Sequence, residues 1–354
     1  MATRDSMLTR LGGTYDLLII GGGIVGAGAA GLTAGWLLGK AGVPYTVLEA
    51  SGGHGGRLQK LEGFVDFPLE LGGEWVHTRA GILDDLSQTR DAKDRTIEYR
   101  PMTAKIWDGS TLSQANGMAR GWRGEQRFED TSWYDFFNDL IAPPVLSSIR
   151  YETPVADIAY DRDGAVLTTA SGEEIAADKV IFTAPIQLLK EGRVRFDPPL
   201  PDDKTDAMKR VFMPPGLKVF MEFAESFYPH VVGFDDPRQR HHEFERVYYD
   251  VALDKPTTRH VLGLYAVGDP ADRYLDHDTD EARIAFILAE LDAMFGGAAS
   301  QHYIQHHTQN WRAQPWARGT FSMYRDWRDT EPLGKPLDDT VHFAGEAYNL
   351  RDSW

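Results

Sequence analysis

Glycines and one glutamate carry the first chemistry in this 354-residue chain. Between Leu17 and Arg57 an apolar run leads into clustered glycines, a helical pattern and a second apolar run, Val43–Leu48, that closes on Glu49. This is the strand–turn–helix–strand pattern of a dinucleotide site. Glycines suit it because the turn is tight and phosphate must approach bare backbone, and the pyrophosphate then lies on the N–H groups that open the helix. Two GxGxxG registers overlap: Gly21, Gly23, Gly26 and Gly26, Gly28, Gly31. The acidic residue that bonds a ribose hydroxyl should follow by about 20 residues. Glu49 lies 23 residues beyond Gly26 but 28 beyond Gly21, which selects the second register and leaves Gly21–Gly23 as loop.

Other residues invite chemistry less directly. Lys218 sits in GLKVFMEF, where a strand lysine ordinarily marks an exposed edge. Trp311, Trp316 and Phe321 cluster near the C-terminal end and read first as core. His241–His242 and His306–His307 are adjacent pairs, and adjacent side chains point to different faces of either helix or strand. They read as surface residues, and no metal site is expected.

Several motifs together raise the specificity: GAGAAGL, VLEA, GGRL at Gly55–Leu58, and LGGEWVH at Leu71–His77. Farther on come VIFTAPIQLLK, GLKVFMEF, NWRAQPWARGTFSMY and VHFAGEA. In these the chain resembles the flavin-containing amine oxidase family, with the stretch from about 79 to 145 the poorest match. The resemblance implies FAD, with contacts from Gly26, Gly28, Ala30, Gly31, Glu49, Ala50, Gly56, Arg57, Gly73, Glu74, Trp75, Val155, Gly345 and Glu346. It places Lys218 beside flavin N5, holding a water. Trp311 and Phe321 would shape an aromatic cage around the amine, Phe321 keeping the wall of the family's usual tyrosine without its hydroxyl. Without the resemblance, Arg57 reads as a surface ion pair and Trp75 as core. The implied reaction is oxidation of an amine by hydride transfer to N5, with O2 reoxidising the flavin to give H2O2. The family normally continues past the Gly345–Glu346 segment into a helix aimed at the flavin, and the sequence given stops at Trp354. That motivates a shortened, non-catalytic member as one alternative, and a desaturase or protoporphyrinogen-oxidase-like enzyme is the other.

Composition narrows the partners. A net charge of −16 argues against nucleic acid and anionic membranes, and no apolar run reaches the roughly 18 residues of a membrane span. With no cysteine there are no disulfides, no thiolate metal ligands and no cysteine-linked flavin, so FAD would be non-covalent. The basic N-terminus runs straight into the glycine strand, which favours a cytoplasmic protein over a secreted one. The partners expected are a small amine and O2, with a homodimer left open.

The positioning elements follow from periodicity. Trp133–Ile149 reads as helical, with Phe136, Phe137, Leu140 and Ile141 on one face and a break at Pro143–Pro144, and Tyr151–Pro185 reads as a β-meander turning at Asp163–Gly164 and Ser171–Gly172. In Gly216–Phe223 the residues Leu217, Val219, Met221 and Phe223 share one face, while Lys218, Phe220 and Glu222 share the other. Asp278–Phe295 is an amphipathic helix with a capping box at Asp278 and Glu281 and a stop at Gly296–Gly297. The fold class expected is α/β: a Rossmann-like FAD-binding domain of the two-dinucleotide-fold type, with an inserted α+β substrate domain. Residues 1–78, 146–215 and 303–354 would form the first, and 79–145 and 216–302 the second.

Overall fold

The computed structural model describes residues 17–21, 27–77, 79–122, 124–235, 245–324, 326, 328 and 330–349. The chain forms two compact units, Met1–Gln59 with Tyr134–Met213 and Gln314–Trp354, and Lys60–Trp133 with Pro214–Ala313.

The first unit is built on a five-stranded parallel sheet in the order Ile149–Arg150, Tyr45–Glu49, Leu17–Gly21, Val180–Phe182, Val341–Phe343. Parallel neighbours need crossovers, and the first is the helix Ala29–Lys40, which buries Gly31, Leu32, Gly35 and Trp36. Gly21 pairs with Glu49, so the first two strands end level with one another. The meander forms a second sheet, Glu174–Ala177, Gly164–Thr169, Val155–Asp161 and Arg195–Asp197, with the hairpin register Asp161 to Gly164. Ile158, Leu167, Val180, Phe182 and Phe343 are part of this unit's core. The helix that begins at Trp133 ends at Leu140, just before the expected break at Pro143–Pro144, and a short 3-10 turn at Leu146–Ser148 follows. Pro143–Pro144 disfavour helical backbone in the residue before them, which pulls the end back.

The second unit holds a seven-stranded sheet in the order Tyr303–Asn310, Gly216–Phe223, His260–Val267, Arg246–Asp250, Val231–Phe234, Ala104–Trp107, Leu112–Gln114. Gly216–Phe223 is buried along its whole length. Its alternation divides it between two cores: Leu217, Val219, Met221 and Phe223 pack with Ile287 and Leu291, while Phe220 packs with Phe67, Leu69 and Tyr249. The helix Asp280–Phe295 starts two residues later than expected. Its N-cap is Thr279, whose hydroxyl accepts from the Ala282 N–H at 3.1 Å, in place of the expected Asp278 box. Gly296 ends it in left-handed backbone at φ 65°.

The crossings between units differ from the sequence expectation, and strand pairing explains why. Lys60–Leu61 pairs with Leu69–Glu70, and Trp75–Val76 pairs with Gln126–Phe128, so the second unit begins at Lys60. Tyr303–Asn310 pairs with Gly216–Phe223 and keeps the segment through Ala313 in the second unit. His306 and His307 lie on that strand and are half-buried, not surface residues. His306 bonds the Tyr303 hydroxyl at 2.6 Å and Asp280 at 3.0 Å. His241 and His242 fall outside the described residues.

Candidate active site

In the first unit, Gly28 opens the helix Ala29–Lys40 in extended backbone, with no side-chain cap and no acid in the first turn. The leading N–H groups therefore form an anion site. Ala27, one residue before, donates its N–H to Glu49 Oε2 at 2.8 Å. Glu49 Oε1 accepts from both the N–H (2.8 Å) and the hydroxyl (2.6 Å) of Ser51. The carboxylate is thus fixed where the second strand ends, beside the turn. Burial pushes Glu49 up to about 7, against the pull of its hydrogen bonds from Ser51 and Ala27. Gly26, like Gly23, lies outside the described residues.

Four further segments converge on this turn. Gly55 bridges Gly28, and a Cβ added at Gly55 would lie 2.7 Å from both the Leu58 carbonyl and the Tyr134 ring, so only glycine fits. Thr153 donates its N–H to the Glu49 carbonyl at 2.8 Å, bringing in the segment that leads to Val155, which is buried. A Cβ on Gly345 would stand 3.6 Å from that of Ala30, which places the last strand's end against the helix start. Arg57 donates to the Thr320 carbonyl at 2.6 Å and pairs with Glu346 at 3.0 Å, and Glu346 in turn accepts from the Ser322 N–H. Arg57 and Glu346, each expected to meet the cofactor, hold one another. Ala50 is buried beside Glu49, Gly56 takes φ 68°, and Phe321 is half-buried in the Thr320–Ser322 segment.

The second unit carries a different chemistry. Lys218 is buried on a central strand, not exposed at an edge. Its Nζ donates to Glu74 Oε2 at 2.7 Å and to the Glu70 carbonyl at 3.0 Å. Tyr249 donates its hydroxyl to the same Glu74 oxygen at 2.7 Å, and Arg127 Nη1 stands 3.9 Å from Glu74 Oε1. Burial would raise the Glu74 carboxyl, but the charges of Lys218 and Arg127 and the bonds from Lys218 and Tyr249 hold it below the usual range. Burial pushes Glu70 well above that range; its Oε1 accepts from the Trp133 N–H at 2.6 Å. Trp75 meets Tyr99 and Trp122 edge-on, at 5.2 and 5.3 Å between ring centroids. Trp311 is buried, donating its indole N–H to the Leu71 carbonyl and its backbone N–H to the Gly216 carbonyl, both at 2.9 Å.

Of the sequence-based candidates, the structure gathers Gly28, Ala30, Gly31, Glu49, Ala50, Gly56, Arg57, Val155, Gly345 and Glu346 in the first unit. Lys218, Gly73, Glu74, Trp75 and Trp311 belong to the second. Sequence reasoning missed Ser51, Ser322, Arg127, Tyr249 and the acid of Glu70. Ser51 follows Glu49 by two residues and could have been found as a local partner. The other four meet their partners only through distant pairing.

Residues 138–351, more than half of the chain, match the profile of flavin-containing amine oxidoreductases. The chain belongs to that family. Residues 24–87 match an NAD(P)-binding Rossmann-like domain. Among curated relatives, human lysine-specific histone demethylase 2 is 24% identical over 80% of this chain and 36% of its own length. Probable polyamine oxidase 4 of Arabidopsis thaliana is 30% identical over 52% of this chain and 36% of its own. The chain thus spans about a third of the length of these relatives. In fold it is similar to putrescine oxidase solved with putrescine (TM-score 0.72, 17% identity, 94% of each chain). It is also similar to cyclohexylamine oxidase from Brevibacterium oxydans (TM-score 0.76, 18% identity, 96% of this chain and 95% of that one). FAD is the cofactor this family membership brings, and the first unit fits it. The uncapped helix start could meet the pyrophosphate, and Glu49, fixed beside it, could accept from a ribose hydroxyl.

Proposed function

We propose that the protein is an FAD-dependent amine oxidase. The observation that carries this reading is Lys218, an ammonium buried on a central strand and held against a carboxylate, at the position where the family resemblance puts a lysine at the flavin. Burying that pair costs desolvation that a hydrophobic pair of the same volume would avoid, so a role in chemistry is a better account than stability. Bound FAD supplies the acceptor for the hydride leaving the amine's α-carbon and passes the electrons to O2, giving H2O2.

The protein's own residues bind and orient. The N–H groups of Ala29, Ala30 and Gly31 would meet the pyrophosphate, and Glu49 would accept from a ribose hydroxyl. Arg57 and Glu346 tie together the segments that carry the glycines. Lys218 would hold a water or a substrate atom by donation. Trp311, fixed by its two hydrogen bonds, and Phe321 would offer aromatic faces to an amine.

The test is the visible spectrum of the purified protein, before and after heat release of any cofactor, followed by anaerobic mixing with a broad panel of amines. A releasable flavin that an amine bleaches, with peroxide formed on readmitting air, is the expected result. A protein that neither carries nor takes up FAD, or whose flavin no amine bleaches, overturns the reading.

A further inference from the structure

The buried ions of the second unit form one connected group. Lys218 comes from Gly216–Phe223, Tyr249 from Arg246–Asp250, Arg127 from Gln126–Phe128, and Glu70 and Glu74 from the segment that follows Leu69. Lys255 adds a further charge near the two glutamates and donates to the carbonyls of Phe128 and Glu129, both at 2.7 Å. Glu74 serves two cations at once, with Lys218 and the Tyr249 hydroxyl on Oε2 and Arg127 facing Oε1. Lys218, at 5% exposure, and Arg127, at 1%, have no bulk water to solvate them. An ammonium has three N–H donors. Among the described residues Nζ has two acceptors, Glu74 Oε2 and the Glu70 carbonyl, which leaves one N–H to give.

We propose that Glu74 is the positioning residue for Lys218: it holds Nζ in place and aims its remaining N–H, so that Lys218 acts as a fixed donor. The proposal rests on the reading that Lys218 faces the amine chemistry, and it makes Glu74 a support for Lys218 where the sequence had made it a cofactor contact.

The test uses the FAD-loaded protein and the variants Glu74→Gln, Lys218→Met and the double variant, read by anaerobic flavin reduction across amine concentrations and by denaturant unfolding. Glu74→Gln strands the Lys218 charge. The limiting rate of reduction should fall at least tenfold, with the half-saturating amine concentration little changed. Lys218→Met should be slow in the same way, and the double variant should match it. In unfolding, Glu74→Gln should shift the equilibrium constant at least a hundredfold, the scale of a buried pair broken on one side, and Lys218→Met in the same chain should recover tenfold or more of it. If Glu74→Gln cannot be purified but the double variant can, that rescue supports the pairing. Losses that multiply in the double variant, a Glu74→Gln limiting rate like that of wild type, or failure of both variants to fold overturns the proposal. If no amine reduces the wild-type flavin, the oxidase reading fails by itself. The unfolding cycle then still decides whether Glu74 supports Lys218.

Discussion

Glu49 would give the first unit's stability and its affinity for FAD opposite responses to pH. Its carboxyl is 1% exposed, and burial raises it from 4.5 to about 7. Between those values the folded chain keeps a proton that the unfolded chain has released. The group's contribution to stability is therefore whole below the lower value and falls as pH rises to the upper one. The displacement is worth on the order of 3 kcal/mol. A ribose hydroxyl donating to Glu49 favours the ionised form, so FAD binding should pull the other way. The ionised fraction rises from about one tenth at pH 6 to about nine tenths at pH 8, which makes FAD bind up to about tenfold tighter at the higher pH. FAD itself has no group that ionises in this window. Glu49→Gln removes the ionisation. It also has a single acceptor oxygen for the Ala27 and Ser51 N–H groups, which costs about 1–3 kcal/mol of stability. The readout is the slope, not the absolute affinity: fluorescence titration of apo-protein with FAD at pH 6 and 8, wild type against Glu49→Gln. A flat wild-type profile, or a slope that survives in Glu49→Gln, refutes the role given to this carboxylate.

Two other outcomes follow from the geometry. Glu70 is buried, its Oε2 has no hydrogen-bond partner among the described residues, and burial favours its protonated form, so this group's contribution to stability declines as pH rises past the ordinary carboxylate range. Glu70→Gln keeps an acceptor for the Trp133 N–H and cannot ionise; by thermal unfolding at pH 8 it should match or exceed wild type, by about 1 kcal/mol or more, and a clear loss there contradicts the assignment. Gly345 takes φ 117°, yet a Cβ there would meet nothing closer than 3.6 Å. Gly345→Ala should therefore cost about 1–3 kcal/mol through backbone strain alone, with weaker FAD retention; unchanged unfolding would show that the strand end can relax.

Much of the first unit could be read from sequence because its chemistry is local. The glycines, the helix Ala29–Lys40 and Glu49 lie within a few dozen residues, and period and turn residues mark each one. The faces of Gly216–Phe223 were legible for the same reason, since alternation is a property of the strand itself. What alternation cannot say is whether the second face meets water. Here it meets the core that holds Phe67 and Tyr249, and this turns Lys218 from an edge residue into a buried ion. The partners of Lys218 were equally out of reach, because Glu74 lies 144 residues away and Tyr249 reaches Glu74 across 175. Helix ends moved by two residues at Asp280 because a threonine hydroxyl, not an acid, reached the free N–H. The unit crossings moved because two-residue strands such as Lys60–Leu61 leave almost no periodic trace.

The interleaving of the two units sets an order on synthesis. The parallel sheet of the first unit begins with Leu17–Gly21 but is not complete until Val341–Phe343 has left the ribosome. The second unit starts later and finishes earlier, since its last strand ends at Asn310. At about 5–20 residues per second, the thirty-odd residues separating those strands occupy seconds, long against the microseconds to milliseconds of strand and helix formation. During that interval the edge of Val180–Phe182 that will receive the last strand stands unpaired, and Gly345 and Glu346 have yet to reach Ala30 and Arg57. Cofactor capture thereby waits on the strand Val341–Phe343: a nascent chain halted before residue 340 carries the glycine-rich stretch and Glu49 but neither that strand nor the tie from Glu346 to Arg57.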